Sequence, residues 1–131
     1  MRARIAWRSD DPGMVVTCDE ELRWAPAEAE GDAGRRPLIA EVVHENGDSL
    51  LVGLGREISV LSYVGASKNP PYFSSRGSSR SQDGEAVVFF YFGHWSEFPA
   101  SATVSAEEAV EAARFFIECG ELSPRVDWVE V

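Results

Sequence analysis

The stretch GHWSEFPASATVSAEEA, residues 93–109, brings an imidazole, an indole and a carboxylate together in His94, Trp95 and Glu97. Those groups could serve proton transfer, metal binding or the anchoring of a partner, and the rest of the chain has to decide among them. Metal binding finds little company. His44 and His94 are the only histidines, and each has a single ligand-type residue two to four positions after it, Asp48 and Glu97. A nucleophilic elbow of the GxSxG type is missing, and the serines crowd into one polar segment instead of standing on a preorganised turn. The acid pairs Asp10–Asp11 and Glu107–Glu108 are sequence neighbours that point in different directions, so they do not face each other as a glycosidase requires. Gly53-Leu54-Gly55 is not a dinucleotide fingerprint, because Ile58 stands where the third glycine belongs and a strand follows. No catalytic residue, cofactor or metal is expected.

The elements around the stretch are legible in outline. Short apolar and β-branched runs separated by turn residues read as strands at 4–8, 14–17, 38–45, 49–55, 57–64 and 85–93. Asn46-Gly47-Asp48 reads as a hairpin turn on a primed φ > 0 pair, and a reversal at Gly55 makes 38–64 a three-stranded meander. Residues 25–37 read as an acidic loop, and 66–84, with two prolines, two glycines and six serines, as a long one. Ser105 and Glu108 form a capping box that starts a helix. At 100° per residue Ala109, Ala112, Ala113 and Phe116 share its inner face, with Glu107, Glu111, Arg114 and Glu118 opposite. Gly120 and Pro124 end it near Cys119, and Val126 and Trp128 mark a last strand or extended tail. The expected fold is α+β, a twisted antiparallel sheet of about five to seven strands with this one main C-terminal helix packed on one face.

Composition sets the bounds on function. With 131 residues, 44% hydrophobic and 26% charged, the chain reads as one folded domain over 1–131. The longest apolar run, Ala86 to Phe92, is too short to cross a bilayer, and the N-terminal residues lack a signal-peptide pattern, so a cytoplasmic location is expected. Cys18 and Cys119 lie far apart without a CxxC spacing and are expected to be reduced, buried thiols. The net charge of −10 is uneven. Residues 10–34 hold eight acids against Arg23, and 107–131 hold seven acids against Arg114 and Arg125, whereas 65–82 carry Lys68, Arg76 and Arg80 with no acid. Such a chain is repelled by nucleic acid and anionic membranes, and its acids suit a basic protein partner.

From about residue 49 onward the chain resembles a known family. SLLVGLGREISVLSYV, then PPYFSS, then VVFFYFGHWSEFPASATVSAEEAVEAARFFIECGELSPRVDWVEV follow the order of motifs in the immunity proteins of bacterial polymorphic toxin systems, of the type catalogued as immunity family one. The matching features are the strand ending in Gly-Leu-Gly, the Glu-Phe-Pro after an aromatic strand, and a helix leading through Cys-Gly to a proline and a late tryptophan. The resemblance implies a small cytoplasmic protein that binds and neutralises a cognate secreted toxin domain, often a nucleic-acid deaminase and here a cytidine deaminase, by occluding its active site or substrate groove. It supplies no catalytic residues. The alternatives are a non-catalytic adaptor and, more remotely, a small enzyme.

The opening stretch then has two readings. In one, His94, Trp95 and Glu97 form the joint where the aromatic strand hands over to the helix, with Pro99 fixing the turn and Phe98 in the core. In the other, Trp95 and Glu97 face a partner, as tryptophan anchors and arginine-pairing carboxylates do. Tyr72 and Phe73, after a double proline, are further candidate anchors, and Asp19, Glu20 and Glu21 are candidate acids bordering the partner-binding face.

Overall fold

The structure, a computed structural model, describes residues 2–8, 13–17, 27–69, 71–77 and 86–130. The elements run β1 (Arg2–Ala6), β2 (Met14–Thr17), α1 (Ala27–Arg35), β3 (Leu38–His44), β4 (Ser49–Leu54), β5 (Ile58–Ser59), β6 (Leu61–Val64), β7 (Phe73–Arg76), β8 (Ala86–Tyr91), β9 (His94–Pro99), a 3-10 turn (Ala100–Ala102), β10 (Val104–Ser105), α2 (Ala106–Cys119) and β11 (Asp127–Glu130). Seven strands follow one path, β11-β7-β6-β4-β3-β1-β2, and the β8–β9 hairpin branches from β3. The fold is α+β, as expected. The branch makes the curled sheet mixed, because β8 lies parallel to β3 through Leu38↔Phe90 and Ile39↔Tyr91 while every other pair is antiparallel.

Period-two alternation sorts the side chains of β3 and β4 onto two faces. Leu38, Ala40 and Val42 with Leu50 and Val52 meet α2 through Ala109, Ala112, Ala113, Phe116 and Ile117. Ile39 points the other way, into a second cluster with Val60, Val87, Phe89 and Ala102. α2 is where the sequence places it. Its capping box is complete, with Ser105 Oγ accepting from Glu108 N at 3.1 Å and Glu108 Oε1 accepting from Ser105 N at 3.1 Å. Gly120, at φ 73°, closes the far end by donating its N–H to Phe116 O. The alanines bring the helix close to the sheet, and fully buried Phe116 fills the space between Tyr63 and His44. Truncating a phenylalanine in such a site to alanine costs about 3–5 kcal/mol.

Four local expectations need revision. Residues 27–35 form α1 and not a loop. The helix formers of its first turn outweigh the two glycines, and buried Ala33 docks it on the sheet, so close to Gly55 that a Cβ there would lie 2.4 Å from Ala33 O. The 66–84 segment contains β7. Ser75, counted as a loop residue, is buried in that strand, where Oγ accepts from Leu61 N at 3.0 Å and donates to Ala102 O at 2.6 Å. At the β3–β4 turn only Gly47 has positive φ, at 96°, and Gly47 N donates to His44 O. The chain reverses one residue earlier than Asn-Gly suggests, and the glycine takes the left-handed bulge position that follows. Cys119 is a half-buried free thiol with Sγ 3.1 Å from Phe115 O, and Cys18 lies outside the described residues. Val126 and Trp128 do face the core, and the chain from Asp127 onward pairs with β7.

Candidate binding surface

The aromatic strand does not hand over directly to α2. It turns back on itself. Phe92 and Gly93, at φ 49° and 85°, form a two-residue turn with both φ values positive, and β8 and β9 pair in register from Tyr91↔His94 to Ala86↔Pro99. Phenylalanine rarely adopts that backbone, and holding it there costs of order 1–3 kcal/mol. Pro99 ends β9 and leads into the 3-10 turn, while Phe98 packs on the second core.

The two faces of this hairpin differ. Val87, Phe89, Tyr91 and Phe98 turn inward, and Phe89 sits so close to Gly53 that a Cβ there would lie 2.7 Å from its ring. That steric demand explains the first glycine of Gly-Leu-Gly. Burial, with the Glu41 carboxylate a smaller cause, holds the Tyr91 hydroxyl above its ordinary pKa. Val88, Phe90, Trp95 and Glu97 face outward. Trp95 is 65% exposed, stands edge-on to Phe90 with ring centroids 5.7 Å apart, and donates Nε1–H to Glu97 Oε2 at 3.1 Å.

Beside this outer face opens a cleft of about 430 Å3 between the end of α1, the start of β3 and the hairpin tip. Arg8, Asp32, Arg35, Arg36, Phe90 and Phe92 line it. Asp32 accepts from Trp7 Nε1 at 2.9 Å and from Arg8 Nε at 2.8 Å. The Arg8 hydrogen bond, then the Trp7 one, hold its carboxyl below the usual carboxylate range. The Arg36 guanidinium lies 4.1 Å from the centre of the Phe90 ring. Glu107, Glu111 and Glu118 on α2, with Glu121, Asp127 and Glu130 after it, are exposed, and Arg125 reaches Glu111 at 3.6 Å.

Of the residues singled out in the sequence, Trp95 and Glu97 come together. Tyr72 and Phe73 lie elsewhere, with β6, β4 and β3 between β7 and the hairpin. The Tyr72 hydroxyl donates to Lys68 O at 2.7 Å, and Phe73 packs on Tyr63. Asp19, Glu20 and Glu21 lie outside the described residues. Phe90, Phe92, Arg35 and Arg36 were missed. The available signal was VVFFYF, apolar in both alternating registers, with Phe-Gly as the turn between two runs.

Among the described residues no group of three or more His, Cys, Asp or Glu is placed to hold a metal ion, and no helix is long and apolar enough to cross a membrane. What they assemble is a surface suited to contact with another protein: an exposed indole, a cleft of arginine and phenyl groups, and a stripe of carboxylates. The family model for immunity protein Imm1 matches residues 10–130, so the chain belongs to the Imm1 family of immunity proteins, whose partner is a protein toxin. A search of curated proteins found no match.

Proposed function

We propose that the toxin neutralised by this protein acts on nucleic acid, as a cytidine deaminase, and that neutralisation consists of covering its active site or substrate groove in the cytoplasm of the producing cell. Trp95 is the observation that carries this reading. A tryptophan 65% exposed on the rim of a two-stranded hairpin loses apolar contact that a partner restores, and such residues dominate binding energy at interfaces. The charge of −10 supports the substrate class, because a protein that grips phosphates must present cations, and exposed carboxylates such as Glu107, Glu111 and Glu118 suit such a groove. The deaminase chemistry itself rests on the family resemblance.

The surface assigned to the toxin is centred on Trp95 and Glu97, with Asp19, Glu20 and Glu21 bordering it and Tyr72 and Phe73 as outlying anchors. The decisive experiment takes the toxin domain encoded beside this protein, measures cytosine deamination of a single-stranded oligonucleotide, and titrates the protein in. Deamination should stop at an equimolar ratio. Deamination that continues unchanged, or a toxin with no action on nucleic acid, overturns the reading. Replacing Glu20 and Glu21 by glutamine should slow association and flatten its dependence on salt.

A further inference from the structure

The Arg35–Arg36 cleft runs against the charge of the whole molecule. The chain carries ten more acidic than basic residues, yet three arginines and one carboxylate line this cleft, and that carboxylate, Asp32, is engaged by Arg8 and Trp7. Arg35 and Arg36 are exposed at the end of α1, and among the described residues neither forms an ion pair. The bland account is that cations there complement the helix dipole. It does not account for the phenyl rings. Arg36 lies over the Phe90 ring, its guanidinium carbon 4.1 Å from the centroid, and Phe92, in its costly left-handed conformation, lines the same cleft. A guanidinium stacked on a ring is held in one plane with its N–H edge turned outward, the preorganised form in which arginine takes a carboxylate by two parallel hydrogen bonds.

We propose that this cleft receives an acidic segment of the toxin, with aspartate or glutamate side chains pairing with Arg35 and Arg36 while Trp95 next to it covers an apolar patch of the same surface. The proposal rests on the reading of the protein as a toxin inhibitor and adds the chemistry of one contact. Charge complementarity selects the occupant. A free polyanion is repelled by the charge of −10, whereas a protein that is basic around its groove and acidic beside it is attracted by both regions at once. The alternation of sign also fixes register, because a toxin shifted along the surface would set acid against acid. Phe90 belongs to both parts, carrying the Arg36 guanidinium over its ring and meeting Trp95 edge-on, so the cationic and apolar contacts form a continuous strip.

The test uses the full chain and the toxin domain in calorimetric titrations. Arg35→Glu/Arg36→Glu should raise Kd by about two orders of magnitude, and Arg35→Gln/Arg36→Gln by about tenfold. The same reversal at exposed Arg4 on β1, outside the cleft, should change Kd by less than about threefold. Thermal melts of all variants should keep the parent's cooperative transition and shift by no more than about 10 °C, since the substituted side chains are exposed and lose only the helix-dipole and ring contacts. If the parent binds and neutralises the toxin and the Arg35→Glu/Arg36→Glu variant does so with the same Kd, the cleft assignment falls and the inhibitor reading stands. If the parent does not bind the toxin, both fall. Arginine-dependent binding of cytidine triphosphate, used as the phosphate probe, with toxin affinity unmoved, would replace the acidic segment by a phosphate ligand.

Discussion

Helix α2 and the β8–β9 hairpin are both amphipathic elements resting on the same sheet, but they balance their surfaces differently. The inner face of α2 has its place inside: Ala109, Ala112, Ala113, Phe116 and Ile117 are buried, and Glu107, Glu111 and Glu118 are left to water. The hairpin carries more apolar surface than the described residues cover. Phe89 and Phe98 fill the inner side, and Phe90 and Trp95 line an outer side against which, among the described residues, Arg36 lies. A strand apolar in both registers normally sits between two layers. Here one layer belongs to the protein, and on the proposed reading the toxin supplies the other. Excess hydrophobicity of an element over its own burial therefore separates a surface built for contact from one built for packing.

The strongest way to break the comparison is to spoil the packed side. Ala113→Glu forces an unpaired charge against the sheet and should cost about 4 kcal/mol or more, whereas Glu111→Ala should stay within about 0.5 kcal/mol. Thermal melts of the two that coincide would reverse the faces of α2. Next comes the inner side of the hairpin. Gly53→Ala drives a methyl group into the Phe89 ring and should cost about 2–3 kcal/mol in denaturant titrations with no direct loss of any outward contact. On the outer side the signature should invert: Trp95→Ala should leave the melting temperature close to the parent's and raise the rate of dissociation from the toxin, weakening binding by about 2 kcal/mol in surface-plasmon kinetics. The smallest effect concerns the link between α1 and β1. Because the Asp32 carboxyl titrates below its ordinary 3.8 in the folded state, its contribution to stability is whole above that pH and is lost as pH falls through the depressed value. Asp32→Asn lacks this term, so its stability gap to the parent should close as melts are taken from about pH 5 down to about pH 2.

α2 could be read from the sequence because its signals are local: a cap, a period and a stop. The β3–β4–β6 meander was legible for the same reason. What stayed hidden depends on distant groups. Ser75 reads as a loop serine until Leu61 N and Ala102 O are brought to it, and β7 exists only because β6 and β11 flank it. α1 was obscured by Gly31 and Gly34, which weaken its intrinsic propensity, while the docking of Ala33 lies outside any local window. At the candidate site Trp95 was conspicuous by type. Arg36 was not, since its partner ring is 54 positions away in sequence and is set by the parallel pairing of β3 with β8.

That parallel pairing has a kinetic consequence. The hairpin hangs from the sheet by the rungs at Leu38↔Phe90 and Ile39↔Tyr91 and the bond from Phe90 N to Pro37 O, joining segments some fifty residues apart, whereas β3, β4 and β6 are sequential neighbours. Closing the longer loop comes later on entropic grounds, so the meander forms first and the hairpin docks onto a sheet already made. The same order run backwards makes the hairpin a sub-global opening unit, its β8 and β9 amides exchanging with solvent faster than those of β3 and β4. A toxin seated on Trp95 would suppress that opening, so the complex should announce itself in hydrogen exchange on both strands, including amides that face away from the partner.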